Sequence, residues 1–463
     1  MSAHARRARI LVVANRLPVR RVGKGRRAGW ESSAGGLVTA MQPVLRQHGG
    51  AWIGWSGAAG PAPRAFIHEG VRVRPVALSR SEVERFYHGM SNETFWPLYH
   101  DAIRAPEFHR RWWDAYRRVN MRFARAAAAA ARRGDLVWVH DYHLQLVPGM
   151  LRALRPDLRI GFFLHIPFPP EELFEWLPWR TQVLEGLLGA SVVGFQTEAG
   201  GRNFSRLARE YTTAEGTDTE LEFQGRRVRV GAFPISIDFD WFNAWARQPR
   251  VQADAAEIRR RVGEDRRILL AVDRLDYTKG LGLRLQAFEE LLAERRLDAE
   301  ECVLIQIAVP TREGVADYAR MRRQIDEAVG RINGQFSEPG RVAVHYFRRN
   351  LTREELVAYY RAADVMLVTP LRDGMNLVAK EFVACRPDNS GVLVLSQFAG
   401  AARQMRRALL VNPYDIDQVK RTILQALRLR RSDARTRMTI LRIMVRRHDV
   451  HHWASEFLEA LRR

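Results

Sequence analysis

The chain has 463 residues, 46% of them hydrophobic and 12 of them Trp, too many for one core and ample for two domains of ordinary size. Its 74 basic residues against 52 acidic give a formal charge of +22, but they are spread out, the densest cluster (20–27, RRVGKGRR) is short, and no zinc-finger spacing or RNP-like motif accompanies them, so a solvated arginine-rich surface that steers small anions fits better than a nucleic-acid stripe. No apolar run approaches the roughly 20 residues of a membrane span, and the two cysteines, Cys302 and Cys385, lie in apolar patterns, as reduced core residues of a cytoplasmic protein rather than a disulfide or metal framework.

In chain order, residues 10–14 (ILVVA) predict a first strand that ends at Asn15-Arg16; the run is too short for a secretory signal. Residues 17–31 read as a polar, basic loop. Ser33-Ala34-Gly35-Gly36 then leads into a helix from Leu37, where small residues before a helix N-terminus can nest a phosphate, or simply connect. Trp52 and Trp55 follow in a strand entering a Gly turn. Residues 81–98 read as helix and loop, with Phe86, Tyr87, Phe95 and Trp96 as core or as a sugar-stacking wall; 115–132 is a plain helix. Strands at 136–140, 160–164 and 191–196 end in Asp141-Tyr142-His143, His165-Ile166-Pro167 and Thr197-Glu198. Ligands of open α/β sheets sit beyond the carboxyl ends of strands, which places Asp141 and His165 there.

The pattern breaks near 233–238, where a domain boundary is expected, and a polar helical stretch runs to Arg266. Strand logic restarts at 268–272, and Arg274 and Lys279 flank a turn into a helix from Leu281: two cations and free amides for a diphosphate. Further strands are expected at 303–308, 342–347, 365–368, 392–395 and 409–411, with Arg312 after the first of them. The unalternating run at 365–368 reads as a strand covered on both faces. Arg372-Asp373-Gly374-Met375-Asn376 turns into a helix carrying Leu377 and Glu381. Asp373 and Glu381 can each accept from hydroxyls on either side of a diphosphate, which describes a sugar nucleotide; an ordinary strand-turn-helix with a solvated acid has the same local pattern. Residues 434–463 read as one long helix with Trp453, Phe457 and Leu461 on an apolar stripe. Only four basic residues are Lys, at 24, 279, 380 and 420, and Lys24 and Lys279 stand beside loop glycines, where a compact ammonium suits a phosphate that a planar fork would not fit.

Two α/β halves with phosphate-friendly strand ends predict a ligand site in a cleft between them. Walker A, G-x-G-x-x-G, G-x-S-x-G and H-E-x-x-H motifs are all missing, which argues against kinases, dehydrogenases, hydrolases and zinc proteases.

The stretches NRLPV (15–19), SAGGL (33–37), WIGWSG (52–57), WVHDYHL (138–144), FFLHIPFP (162–169), GFQTE (194–198), VDRLDYTKG (272–280), RINGQF (331–336), TPLRDGMNLVAKE (369–381) and VLSQFAGAA (394–402), in this order, resemble the trehalose-6-phosphate synthases, retaining transferases of glycosyltransferase family 20, from near residue 8 to 460. The resemblance implies a GT-B fold: two Rossmann-like domains facing each other across a deep cleft. The acceptor domain would span 1–237, with the helix at about 447–463 packed back on it, and the nucleotide-sugar domain 238–446. It implies donor contacts from Gly36, Arg274, Lys279 and the Leu377 backbone to the diphosphate, from Asp373, Met375 and Asn376 to the glucose hydroxyls, from His165 to the 6-hydroxyl and from Glu381 to the ribose. Arg16, Tyr87 and Arg312 would bind the phosphate of glucose 6-phosphate, with Trp55, Trp96 and Asp141 around the acceptor sugar. The long basic loop 17–31 resembles that of the longer-loop members.

The implied reaction breaks an anomeric C–O bond to a nucleoside diphosphate, UDP or another, through an oxocarbenium-like state. Fixed cations and helix-end amides stabilise the leaving group, so no metal or other cofactor is expected. The implied partners are a nucleoside-diphosphate glucose and glucose 6-phosphate, with no nucleic acid and no membrane; a homo-oligomer stays open. Rivals are a glucosylglycerol-phosphate synthase or a cyclitol-coupling pseudo-glycosyltransferase of the same fold, and an inactive sugar-phosphate sensor. Arg16, Tyr87, Trp96 and Arg312 weigh against the first two, and Arg274, Lys279, Asp373 and Glu381 against the last.

Overall fold

The structure, a computed structural model, describes residues 9–22, 29–32, 38, 41, 45, 49–311 and 316–463. It divides into two units, Met1–Ile235 with His451–Arg463, and Ser236–Val450. No helix among the described residues is long and apolar enough to cross a membrane.

The strands of the first unit are β1 (Ile10–Arg16), β2 (Val19–Val22), β3 (Gly29–Ser32), β4 (Ala51–Trp55), β5 (Phe66–His68), β6 (Val71–Val76), β7 (Leu136–His140), β8 (Arg159–Phe163), β9 (Val192–Phe195), β10 (Glu215–Gly216), β11 (Glu220–Phe223) and β12 (Arg226–Ala232). Among the described residues they form a sheet in the order β10-β11-β12-β9-β8-β7-β1-β4-β6-β5, with β2 and β3 apart as an antiparallel ribbon. The region 17–31, expected as loop, therefore carries this ribbon. From β12 to β6 every pairing is parallel. Numbered by chain order, the seven parallel strands run 3-2-1-4-5-6-7 from β6 to β12. β7 is buried at every residue, as its unalternating apolar run requires of a strand covered on both faces.

The second unit holds β13 (Arg267–Arg274), β14 (Cys302–Val309), β15 (Val344–Phe347), β16 (Val365–Val368), β17 (Val392–Ser396) and β18 (Leu409–Val411). They form an all-parallel sheet ordered β15-β14-β13-β16-β17-β18. By chain order this is 3-2-1-4-5-6, the order of nucleotide-binding doubly wound folds. In each unit the order reverses beside the first strand: between β1 and β7, and between β13 and β16. Ligands of such sheets bind beyond the carboxyl ends at that reversal.

The expected long C-terminal helix is two, Arg431–Arg447 and Val450–Arg462, broken where His448 leaves helical geometry (φ −111°, ψ 58°). The second packs on the first unit's sheet. Phe457 stacks on Trp138 with ring centroids 4.3 Å apart and planes 4° apart. Gly161 and Gly194, on neighbouring β8 and β9, make room for it, since a Cβ at either would stand 2.6 or 2.7 Å from the Phe457 ring. Burying one such ring contributes about 1.5–3 kcal/mol, which helps hold the chain's last helix to its first sheet.

Candidate active site

In the second unit, two loops leave the sheet where its order reverses. β13 runs into a short 3₁₀ turn, Tyr277–Lys279, and Gly280 then starts the helix Leu281–Ala293. Gly280 has φ +68°, and a side chain there would strike the carbonyl of Thr369. Asp276 Oδ1 accepts from the Thr278 amide (3.0 Å) and hydroxyl (2.9 Å), fixing the turn. Beneath it Arg284, fully buried, donates to Asp273 (2.6 Å), Gln306 (2.9 Å), Thr369 Oγ1 (3.0 Å) and the Lys279 carbonyl (3.1 Å). Removing one partner of such a buried pair costs roughly 3–5 kcal/mol, so the loop is held rigidly.

After β16 the chain turns through Asp373 to Asn376 into the helix Leu377–Ala384. The Leu371 amide donates to the Thr278 carbonyl at 2.7 Å, tying this loop to the first. Lys279 Nζ donates to Asp373 Oδ2 at 2.5 Å, and Asn376 Nδ2 donates to the same oxygen at 3.1 Å. The pair is mostly buried, at 10% and 15% side-chain exposure. An ammonium has three donors; one is used by Asp373. Asn376 also caps the helix, accepting from the Ala379 amide at 3.2 Å, with φ 80° and ψ 92°. Positive φ at a non-glycine residue costs about 1–3 kcal/mol and persists where the surroundings impose it. They do so here: the Gly400 amide donates to the Asp373 carbonyl (3.1 Å), the Ala401 amide to the Met375 carbonyl (2.8 Å), and the Asp373 amide to the Phe398 carbonyl (3.2 Å). Glu381 lies one helical turn on and accepts from the Tyr360 hydroxyl at 2.9 Å. Burial raises its pKa, with that hydrogen bond and Arg353 pulling it back. Cation, carboxylate and the N-terminus of a helix thus converge at one strand-order reversal, a geometry suited to a diphosphate beside hydroxyls. Arg274 is exposed at the end of β13.

The first unit's reversal brings together different chemistry. Arg16 ends β1, and its guanidinium lies over the Trp55 ring at 4.8 Å. Arg16 is exposed, yet enough protein crowds it for desolvation to lower its pKa, with the Tyr87 phenol opposing. Gly57, at φ +91°, gives the guanidinium its space, since a Cβ there would collide with it. Trp55 meets Tyr87 at 5.4 Å, whereas Trp52, buried, donates Nε1 to the Arg16 carbonyl at 2.9 Å. Trp55 is therefore the tryptophan beside the arginine.

Tyr87 reaches this cluster from a helix wound in π fashion over Val83–Phe95, and Trp96 from the start of the α-helix Trp96–Tyr99 that continues it, rather than from the helix and loop expected there. A π helix has about 4.4 residues per turn, so residues nine apart share a face; α winding would oppose them. Tyr87 stacks on His143 (5.9 Å, 11°) and Trp96 lies against Tyr142 (5.7 Å). Between them Asn92, buried, donates to the Tyr87 carbonyl at 2.7 Å and accepts from the Tyr142 hydroxyl at 3.1 Å.

Asp141 precedes that pair, with φ 74°. Its Oδ1 accepts from the His165 amide at 3.2 Å, joining the ends of β7 and β8. His165 is held neutral: burial presses its pKa down to about 3. Among the implied residues, Gly36 and Arg312 lie outside the described residues, as does Lys24. Lys380 is buried on Gln404 (2.8 Å) and Lys420 pairs with Glu290 and Glu294, so Lys279 is the described lysine in the loops at the reversal. Sequence reading missed Asn92, Arg284 and Tyr360, which act through packing partners distant in sequence. Gly400 was within reach, inside the stretch VLSQFAGAA.

Two doubly wound units, one presenting a diphosphate-type loop pair and the other an arginine-aromatic cluster, define a glycosyltransferase of the GT-B class. The chain belongs to glycosyltransferase family 20, whose family model matches residues 8–463. It is 51% identical over 462 residues to the trehalose-6-phosphate synthase of Mycolicibacterium smegmatis, across 97% of this chain and 92% of that protein. The crystal structure of an alpha,alpha-trehalose-phosphate synthase (UDP-forming) from Burkholderia vietnamiensis superposes with a TM-score of 0.90 at 37% identity, covering 99% of this chain and 100% of that one. One from Burkholderia xenovorans in complex with glucose-6-phosphate gives 0.91 at 34%, covering 98% and 100%.

Proposed function

We propose that the chain is an α,α-trehalose-phosphate synthase that transfers glucose, with retention, from UDP-glucose to glucose 6-phosphate, giving trehalose 6-phosphate and UDP. The observation that carries this is the convergence of Lys279, Asp373 and the N-terminus of Leu377–Ala384 at the strand-order reversal of the second unit. The UDP-forming and glucose-6-phosphate-bound relatives support the choice of substrates; none supports glycerol phosphate, cyclitols or a sensor.

In this reading most of the donor's contacts come from the second unit. Lys279, Arg274, the Leu377 amide and Gly36 take the diphosphate, Asp373 with the Met375 and Asn376 amides takes the glucose hydroxyls, and Glu381 takes the ribose. Arg16, Tyr87 and Arg312 take the acceptor's phosphate, Trp55, Trp96 and Asp141 surround its ring, and His165 takes the 6-hydroxyl of the donor glucose. As the anomeric bond breaks, negative charge grows on the diphosphate, where preorganised cations and amides act most strongly. The acceptor hydroxyl attacks from the leaving-group face, and the departing phosphate takes its proton, so no carboxylate nucleophile is required. The buried free cysteines suit a reducing compartment, which supports a cytoplasmic location.

The test is a matrix of UDP-, ADP- and GDP-glucose against glucose 6-phosphate, glycerol 3-phosphate and a cyclitol phosphate in excess chelator, with product anomers read by NMR. Trehalose 6-phosphate with both linkages α, formed fastest from UDP-glucose at full rate in chelator, is expected. Turnover only with glycerol phosphate, or activity restored only by Mg²⁺, would overturn the reading.

A further inference from the structure

His140, the last residue of β7, is completely buried, and its Nδ1 lies 3.1 Å from His165 Nε2 with the rings 5.3 Å apart and tilted by 26°. Two imidazole nitrogens at that distance share one proton, and which ring owns it fixes both tautomers. Burial holds both rings neutral, pressing His140 well below the ordinary histidine range and His165 to about 3.

The surroundings choose the owner. If His165 Nε2 carried the shared proton, neutral His140 would carry its own on Nε2. That atom is buried and has no hydrogen-bond partner among the described residues. Orphaned buried N–H groups are rarer than under-satisfied acceptors. The neighbourhood sharpens the choice: Trp138 lies 4.9 Å from His140 and Trp453 lies 4.9 Å from Trp138, and both buried indole nitrogens also lack described partners. Indole nitrogens only donate. A protonated Nε2 would add a third donor where no acceptor is described, while a bare Nε2 supplies one.

We propose that His140 is a positioning residue that fixes the tautomer of His165, donating Nδ1–H to His165 Nε2 and so obliging His165 to carry its own proton on Nδ1 and present it as a donor. His165 is partly exposed, and its backbone is pinned by Asp141 Oδ1 on the amide and Gln196 Nε2 on the carbonyl (3.3 Å). Its remaining ring nitrogen therefore offers a bound hexose hydroxyl an oriented donor that stays neutral at physiological pH. The link to the donor's 6-hydroxyl rests on the proposed function; the tautomer does not.

Two readouts separate these. In the ¹⁵N NMR spectrum of histidine-labelled wild-type protein, His165 is expected to show a protonated Nδ1 and a bare Nε2, and His140→Phe to give mixed tautomers. His140→Asn, whose amide N–H falls near the Nδ1 position, should restore the wild-type pattern. A wild-type His165 protonated on Nε2 would overturn the proposal without any variant, so a misfolded His140→Phe leaves it testable. Kinetically, the preference in kcat/KM for UDP-glucose over UDP-6-deoxyglucose should fall about 5- to 10-fold in His140→Phe and recover in His140→Asn, as expected for one mis-oriented hydrogen bond. The expected tautomers without any wild-type discrimination between the two donors would sink the 6-hydroxyl assignment and leave the tautomer lock standing.

Discussion

At the scale of single residues, two strained positions point at chemistry. Asp141 (φ 74°) and Asn376 (φ 80°) hold backbone geometry that L-residues avoid; Asp141 directly follows β7 and Asn376 caps the helix that follows β16, each strand lying beside its sheet's reversal. Their strain was invisible in the sequence, though Asp and Asn are the residue types that best tolerate it. The lysine bias was legible: in a chain that uses Arg almost throughout, Lys279 is the one that meets Asp373. The buried histidine pair sets a pH dependence. Both folded pKa values lie below the unfolded one, so below about pH 6.5 the unfolded chain takes up protons that the folded chain does not. Their contribution is complete above that pH and is lost toward acid, by up to ~1.4 kcal/mol per pH unit for each. Urea midpoints at pH 7.5 and 5.5 should therefore fall more steeply for wild type than for His140→Phe. Parallel profiles would show that the pair is not kept neutral by the fold.

At the scale of elements, function depends on two devices. The π-wound helix sets Tyr87 and Asn92, and the α-helix that continues it sets Trp96, against the 141–143 turn. Its aromatic content was readable, its winding was not, because hydrophobic periodicity is judged against 3.6 residues per turn. Asn92→Ala strips the Tyr87 carbonyl and the Tyr142 hydroxyl of a buried partner, a loss of about 1–3 kcal/mol. Its KM for the acceptor should rise at least tenfold, with the donor KM within about twofold, in steady-state assays; equal rises would mean that the helix supports both substrates. The second device is the close approach of Gly400 to the Gly374 carbonyl. A methyl there meets backbone that cannot yield, so Gly400→Ala should move the Asp373–Asn376 turn at a cost of ~1–3 kcal/mol, raising the donor KM and sparing that of the acceptor. Unchanged donor kinetics would show that the turn is not held by this contact. Other elements were missed despite a signal. β11 and β12 bury Leu221, Phe223, Val228 and Val230 in alternation around a two-residue turn, Gln224-Gly225, with φ 51° and 69°. The break at His448 had none, since neither Gly nor Pro marks it.

At the scale of the whole molecule, the fold class was legible because buried parallel strands write continuous apolar runs, and five of the six strands in the second sheet had them. Strand order was not legible, since no local pattern records which strands become neighbours. It nevertheless decides the site: the reversals beside β1 and β13 gather residues from loops about 95 to 125 positions apart, Lys279 with Asp373 and Arg16 near the strand end that carries Asp141. The direct measurement of this division is calorimetric titration of UDP and of glucose 6-phosphate into wild type, Lys279→Ala and Arg16→Ala. Lys279→Ala should weaken UDP at least tenfold and leave glucose 6-phosphate within about twofold, and Arg16→Ala should do the reverse, as the loss of one charge-assisted contact implies. If each variant weakens both ligands equally, or if either weakens only the ligand assigned to the other unit, the diphosphate is not held where the second sheet reverses.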